Sequence, residues 1–296
     1  MRIAIYTCTF HNYDNLLSPV ARTPSTDLIC FSDAPIRSAL RWRYRPMPEA
    51  TRGLQQNEAN RYCKMMHSKV LPDYDLSIYV DGNILILADL TPLIEEFLAS
   101  GADLALFPGE MGRTVRDEIE ETLRKNIVRS DRREAAQRQL RLLEEKGEAD
   151  LPITMNGVLF RRHNRPGLDA LMQAWWDDTY RFALRDQFNL PGLIRSTDVP
   201  IHRWDWQFHF TDNPYFRSYF HRKPRGSAIS TLARDVAKGI FLRASHSAPD
   251  RFASRLMNGI GIRTPYVPTR GMRDYLIEDP SMTGLAHGEH EADARN

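Results

Sequence analysis

The stretch "YVDGNILIL", residues 79–87, decides how this chain is read. It starts and ends as a buried β-strand, yet Asp81, Gly82 and Asn83 interrupt it. An ionised carboxylate at the rim of an apolar strand is costly unless something answers its charge. Working outward, the run Leu76 to Val80 predicts a strand with helices on either side of it. Upstream, residues 54–69 set Leu54, Tyr62, Met65 and Met66 among charged neighbours, an amphipathic helical spacing that Pro72 closes. Downstream, "TPLIEEFLASG" (91–101) offers a Thr N-cap, Pro at the first helical position and a terminating Gly.

Further strands are expected from Arg2 to Thr7, in "DLICF" (27–31) ending at Ser32 and Asp33, and in "ADLALF" (102–107). Strand and helix thus alternate, the pattern of an α/β domain with a mostly parallel sheet flanked by helices. Residues 114–146 break the alternation with heavily charged helix, so an insertion is placed at about 110–150. Within it Val115, Ile119, Leu123 and Ile127 repeat at i+4, and Asp131 with Glu134 suggests a capping box for a second helix ending at Gly147. "ITMNGVLFRRH" (153–163) returns to strand, and residues 167–184 read as a helix with Leu168, Leu171, Met172, Trp175 and Trp176 inward. The folded domain is drawn over residues 1–245, with an Arg-, Gly- and Pro-rich extension over 246–296 whose end is expected to fray.

The 296 residues are 42% hydrophobic, enough for a substantial core. Forty basic against 38 acidic side chains leave a net charge of +2, which disfavours nucleic acid as a partner. No apolar run approaches the ~18 residues of a membrane span. The start, "MRIAIYTCTFH", reads as a first strand, and three cysteines without CxxC spacing suit a reduced compartment, so a cytoplasmic protein is expected. Arg217, Arg222, Lys223 and Arg225 leave room for peripheral contact with an anionic membrane.

Ligands of open α/β sheets bind outside the carboxyl ends of the strands. Four polar clusters are expected there: Thr7 to Asp14, Ser32–Asp33, Asp81–Asn83 and Asn156. Asp81 and Asn83 supply two hard oxygens around a flexible Gly82, chemistry that suits Mg²⁺ or Mn²⁺ shared with a diphosphate. The same triplet also fits an ordinary β-turn. Arg61 and Lys64, i to i+3 on one helical face with His67 beyond, would neutralise a departing diphosphate, or else are surface charges. Trp204, Trp206, Phe208 and Tyr215 form an aromatic run that either offers a stacking surface to a ligand or belongs to the core.

The segments "NRYCKMMHSKVLPDYDLSIYVDGNILI" (60–86), "NGVLFRRHNRPGL" (156–168) and "RDQFNLPGLI" (185–194) resemble a glycosyltransferase-like family long known only as a domain of unknown function. Its members include plant mucilage-related and turgor-regulation proteins. "IYTCTFHNYDNL" (5–16) and "ICFSD" (29–33) resemble the family's opening strands, and the likeness runs in order from about residue 3 to residue 221. The family is similar to GT-A glycosyltransferases of the glycogenin-like group. That resemblance implies a GT-A-like, Rossmann-like fold and a nucleotide-sugar donor, UDP favoured. It also implies a carbohydrate or other hydroxyl acceptor and retention of anomeric configuration. It makes Asp81 and Asn83 a DXD-like metal motif, completed by His221 or, second, His209. It places Thr7, Tyr13, Asp33, Arg61, Lys64, Asp81, Gly82 and Asn156 around the donor, and makes Asp186 and Gln187 the catalytic pair beneath the sugar. Asn83 in place of a second acid favours the alternative of a degenerate nucleotide- or carbohydrate-binding protein. Arg113 and Glu118 receive no role.

Overall fold

A computed structural model describes residues 1–10, 16–36, 41–205 and 213–218. Strands β1 (Ile3–Thr9), β2 (Thr26–Ser32) and β3 (Arg43–Pro46) come first, followed by helices α1 (Gln56–Met65) and α2 (His67–Val70). Then come β4 (Leu76–Val80), β5 (Ile84–Ile86), α3 (Thr91–Ala99) and β6 (Leu104–Pro108). The insertion contributes α4 (Val115–Arg124) and α5 (Arg133–Glu145). The chain continues through β7 (Thr154–Arg162), α6 (Pro166–Arg181), α7 (Leu190–Arg195), β8 (Ile201–Arg203) and β9 (Phe216–Ser218).

Seven strands form one sheet in the order β3-β2-β1-β4-β7-β6-β8, while β5 and β9 pair separately. Every neighbour pair in the large sheet is parallel except those made by β7, which runs antiparallel to both β4 and β6. This is the mostly parallel, helix-flanked α/β sheet expected from the alternation. The reversal of β7 corrects one detail. Asn156 lies near the beginning of its strand, not the end, and still reaches the carboxyl rim of β4 because β7 runs the other way.

Period-2 alternation sorts the strand side chains onto two faces. Tyr6, Cys8, Phe31, Tyr79 and Leu159 pack under α1 and α6, against Cys63, Met66, Leu171, Met172 and Trp175. Ile5, Cys30, Ile78, Val80, Phe107 and Phe160 pack on the other face against Leu93, Ile94 and Phe97 of α3 and against Ile84, Ile86 and Phe216 of the small sheet. The five inward positions foreseen on α6 are all buried.

Several local readings shift. Thr91 is the first helical residue of α3 and not its cap; the Asp89 carboxylate accepts from the Thr91 N–H at 2.9 Å and from its hydroxyl at 2.7 Å. Gly101 does end the segment, at φ +71. Asp131 and Glu134 make no capping box: α5 starts without a side-chain cap and Asp131 pairs with Arg129 at 3.0 Å. The capping box belongs to α4 instead, between Thr114 and Asp117. Ile127 falls past the end of α4 and is 51% exposed. The insertion is also more than a solvated cover, because Val115, Ile119, Ala136 and Leu143 share a cluster with Ala183 and Phe188.

The helix expected over 54–69 is divided at Met66 by a buried cation. Arg161 is fully buried on β7, and its Nη1 donates to the Lys64 and Met65 carbonyls at the end of α1. Its Nη2 donates to the Tyr6 hydroxyl, which in turn donates to the Cys63 carbonyl at 3.0 Å. A guanidinium so placed satisfies orphan carbonyls and meets the negative end of the helix dipole. Beside it, His67 and His163 meet edge to face with centroids 4.7 Å apart. His67 is therefore a core residue and not a third cation on the Arg61–Lys64 face.

Burial, then Arg161 and His163, hold the His67 imidazole well below its usual range; burial and Arg161 bring His163 down to about 4. Both are neutral in the native protein, while the unfolded chain protonates them below pH ~6.5. The unfolded state then binds more protons, so stability falls as pH drops from about 6.5 towards 4, by up to ~1.4 kcal/mol per pH unit for each histidine. Urea unfolding at stepped pH will show this slope, and His163→Asn will reduce it by about half.

Candidate active site

Three elements bring charge to one point. Lys64 lies in the last turn of α1, Asp81 follows β4 by one residue, and Asp186 lies in the turn between α6 and α7. Lys64 and Asp186, 122 residues apart in the chain, form a direct ion pair. The Lys64 ammonium also donates to Asp81 Oδ1 at 3.5 Å, and Arg61 Nε lies 3.6 Å from Asp186 Oδ1. The Tyr79 hydroxyl donates to Asp81 Oδ1 at 2.8 Å, and the ammonium sits 5.2 Å from the centre of the Tyr79 ring. The side chains of Lys64 and Asp186 are 2% and 7% exposed, whereas that of Asp81 is 28% exposed. The cluster is closed behind Lys64 and open at Asp81.

Burial alone would raise Asp186, but Arg61, Lys64 and Arg185 outweigh it and hold the carboxyl well below the usual range. Asp186 is an anion throughout the neutral and mildly acidic range. Burial, followed by the neighbouring Asp81 charge, keeps the Tyr79 phenol protonated far above its ordinary value. It thus remains a donor to Asp81.

The backbone around Asp186 is held from several sides. Its carbonyl accepts from Trp175 Nε1 and from Asn156 Nδ2, each at 2.9 Å. Leu184, two residues earlier, adopts φ +57, a left-handed conformation costly for a branched side chain. Asn156 itself is 2% exposed, and its Oδ1 accepts from the Thr154 hydroxyl at 2.7 Å. Its amide donates inside the protein, where Asn156 positions the Asp186 backbone. Next to it, a Cβ on Gly157 would come 3.1 Å from Asp81 Oδ2 and under 3.0 Å from Met155 and Ile84 side-chain atoms. Only glycine lets β7 pass Asp81 without pushing its neighbours.

The other expected positions fall less tightly. Gly82 is buried and Asn83 half-buried in a turn closed by the Ile84 N–H donating to the Asp81 carbonyl at 2.9 Å. Gln187 is half-buried, and its Oε1 accepts from Arg185 at 3.1 Å. Asp33 is exposed beyond β2 and accepts from the Ser32 hydroxyl at 3.4 Å. Thr7 is fully buried; by strand alternation it shares the face of Ile3 and Ile5, opposite Tyr79 and Asp81, so it does not join the cluster. Trp204 is core and not an acceptor platform: it is 3% exposed and stacks on Phe107 with centroids 4.4 Å apart. Tyr215 packs against the same core. Arg217 is buried on β9, which removes it from any membrane-facing patch. Tyr13, Trp206, Phe208, His209, His221, Arg222, Lys223 and Arg225 lie outside the described residues, as does the 246–296 extension. Among the described residues no three His, Cys, Asp or Glu side chains group as a metal site, and no helix is long and apolar enough to cross a membrane.

Glu118 and Arg113, which the sequence left without a role, meet Arg185 here. Glu118 Oε1 accepts from Arg185 at 3.1 Å, and its other oxygen pairs with Arg113 at 2.8 Å. Removing the cation at the centre of these carboxylates exposes how the cluster is held. Lys64→Met will leave Asp186 with Arg61 and Asp81 with the Tyr79 hydroxyl, and breaking such a buried pair costs about 3–5 kcal/mol. Chemical unfolding of this variant against the parent protein measures that loss, and an unchanged midpoint would show that the pair does not hold the site.

No family model and no curated protein matches this chain. Among solved structures, it is similar to mouse xyloside xylosyltransferase 1 at 11% identity and a TM-score of 0.43, covering 69% of this chain and 84% of that one. It is similar to the WbbM bifunctional glycosyltransferase at 11% identity and a TM-score of 0.44, over 69% of this chain and 38% of that one. It is also similar to LgtC in an active-site mutant form, at 17% identity and a TM-score of 0.39, over 68% of this chain and 72% of that one.

Proposed function

We propose that this chain is a glycosyltransferase that moves a sugar from a nucleotide-diphosphate donor, UDP-sugar favoured, to a hydroxyl of a carbohydrate acceptor. The observation that carries the reading is the buried Lys64 ammonium joining Asp81 to Asp186 at the carboxyl rim of the sheet, with Arg61 beside them. A cation pair next to a part-exposed carboxylate suits a ligand that carries both anionic phosphates and sugar hydroxyls. The ordered series of segments that resembles the glycosyltransferase-like family supports the same reading.

In this scheme Asp186, held as an anion, accepts hydrogen bonds from the donor sugar's hydroxyls and fixes its orientation. Arg61 and Lys64 stabilise the negative charge that grows on the diphosphate as the sugar–phosphate bond breaks. The acceptor hydroxyl forms the new glycosidic bond, and retention of configuration is part of the proposal. Asp81 and Asn83 fit a divalent cation only in part, since one carboxylate and one amide are fewer hard oxygens than Mn²⁺ or Mg²⁺ requires. When bound there, the ion would supply charge neutralisation for the diphosphate, whose own oxygens would complete its coordination.

Calorimetric titration tests this directly. UDP is expected to bind more tightly with Mn²⁺ present, Mn²⁺ alone to bind weakly, and Asp81→Asn to remove the difference. A panel of sugar nucleotides should reveal at least one that is slowly hydrolysed, with Asp186→Asn lowering the rate by roughly 100-fold. Circular dichroism would confirm that both variants fold. Binding of UDP with no turnover of any donor would mark a nucleotide-binding protein instead, and no binding at all would sink the reading.

A further inference from the structure

The Arg185–Gln187 contact fixes more than a distance. A guanidinium carries only donors, so the Gln187 atom that faces Arg185 Nη2 at 3.1 Å is the carbonyl oxygen; the opposite amide orientation would set N–H against N–H. Gln187 Nε2 has no hydrogen-bond partner among the described residues. The same Arg185 Nη2 donates to Glu118 Oε1 at 3.1 Å. Glu118 in turn is anchored by Arg113 at 2.8 Å and sits on α4 with a side chain only 9% exposed. A chain of contacts therefore runs from the insertion through Glu118 and Arg185 to Gln187. The backbone of the triplet is held independently by Trp175 and Asn156, so this relay acts on side-chain orientation and not on the turn itself.

We propose that Glu118 is a positioning residue which, through Arg185, turns Gln187 so that it meets the donor sugar with its amide N–H groups and not with its carbonyl oxygen. The proposal rests on the reading of the site as a sugar-transfer centre. Gln187 then serves as a hydrogen-bond donor to a hydroxyl or ring oxygen of the sugar. Its carbonyl, occupied by Arg185, does not face the anomeric carbon as a partner for positive charge. The charged insertion thereby becomes part of the catalytic apparatus, since its first helix sets the orientation of the side chain that follows Asp186.

A double-mutant cycle on sugar-nucleotide hydrolysis tests the relay. Glu118→Gln is expected to lower kcat roughly 10- to 100-fold while the KM for the donor stays within about twofold, and Gln187→Ala to do the same. Adding Glu118→Gln to Gln187→Ala should change kcat by less than about twofold, because the group that Glu118 acts on is already gone. Losses that multiply in the double variant overturn the proposal, as does a change confined to KM. Should Glu118→Gln not fold, Glu118→Asp, which keeps the charge but shortens its reach to Arg185, enters the same cycle with the same expectation. A crystal structure of the Glu118→Gln protein gives a readout without turnover: a Gln187 side chain rotated away from Arg185 supports the relay, and an unchanged contact overturns it. If the parent protein hydrolyses no sugar nucleotide, the sugar-transfer reading fails, and the crystal structure alone decides whether Glu118 positions Gln187.

Discussion

The ammonium of Lys64 is the constraint around which this structure is arranged. A charge taken out of water carries a penalty of several kcal/mol, which attraction offsets only when geometry and partners are good. Here the partners are Asp186, from the turn between α6 and α7, and Asp81 with the face of Tyr79, both from the end of β4. Lys64 is in turn fixed from behind. Arg161 binds the Lys64 carbonyl and stops α1 one residue later, so the ammonium cannot move along the helix without breaking that cap. Two buried cations thus define the end of one helix, Arg161 through the backbone and Lys64 through the side chain. Arg161 helps to keep the two nearby histidines neutral, and Lys64 helps to keep Asp186 ionised.

Such an arrangement is a poor way to gain stability, since well-packed apolar residues of similar volume often do as well or better. It is a good way to hold charge ready. Asp81 and Arg61 are the members with substantial exposure, and Gly157 keeps β7 from crowding Asp81. The left-handed Leu184 points the same way, because a branched residue in that region persists only where surrounding contacts hold it. Trp175 and Asn156 provide those contacts by capturing the Asp186 carbonyl from two sides.

The helical insertion changes meaning once its contacts are known. Its charge pattern reads as a solvated surface, and most of its ion pairs are exposed ones such as Arg116 with Glu144 and Asp150. Glu118 is the exception, buried between Arg113 and Arg185. Val115 and Ile119 lie on its apolar side and pack with Ala183 and Phe188, which flank the catalytic candidates. The insertion therefore braces the 183–188 segment through both apolar packing and charge.

The sequence by itself determined the α/β alternation, the run Leu76 to Val80, the inward face of α6, and the pairing of interest between Asp81 and the Arg61–Lys64 face. These are local properties: period, capping residues and side-chain type act over a few positions and need no knowledge of distant neighbours. Only the tertiary structure decided what those residues touch. It reversed β7, which is what keeps Asn156 at the rim, where its amide clamps the Asp186 carbonyl, and it put Thr7 on the wrong face to join the cluster. It also buried Trp204 and His67, whose side-chain types fit a site and a core equally well. The roles of Glu118 and Arg161 could not be read beforehand for one reason. A charged side chain in an amphipathic pattern looks solvated until folding brings a partner from far along the chain, and burial then gives that one contact its weight.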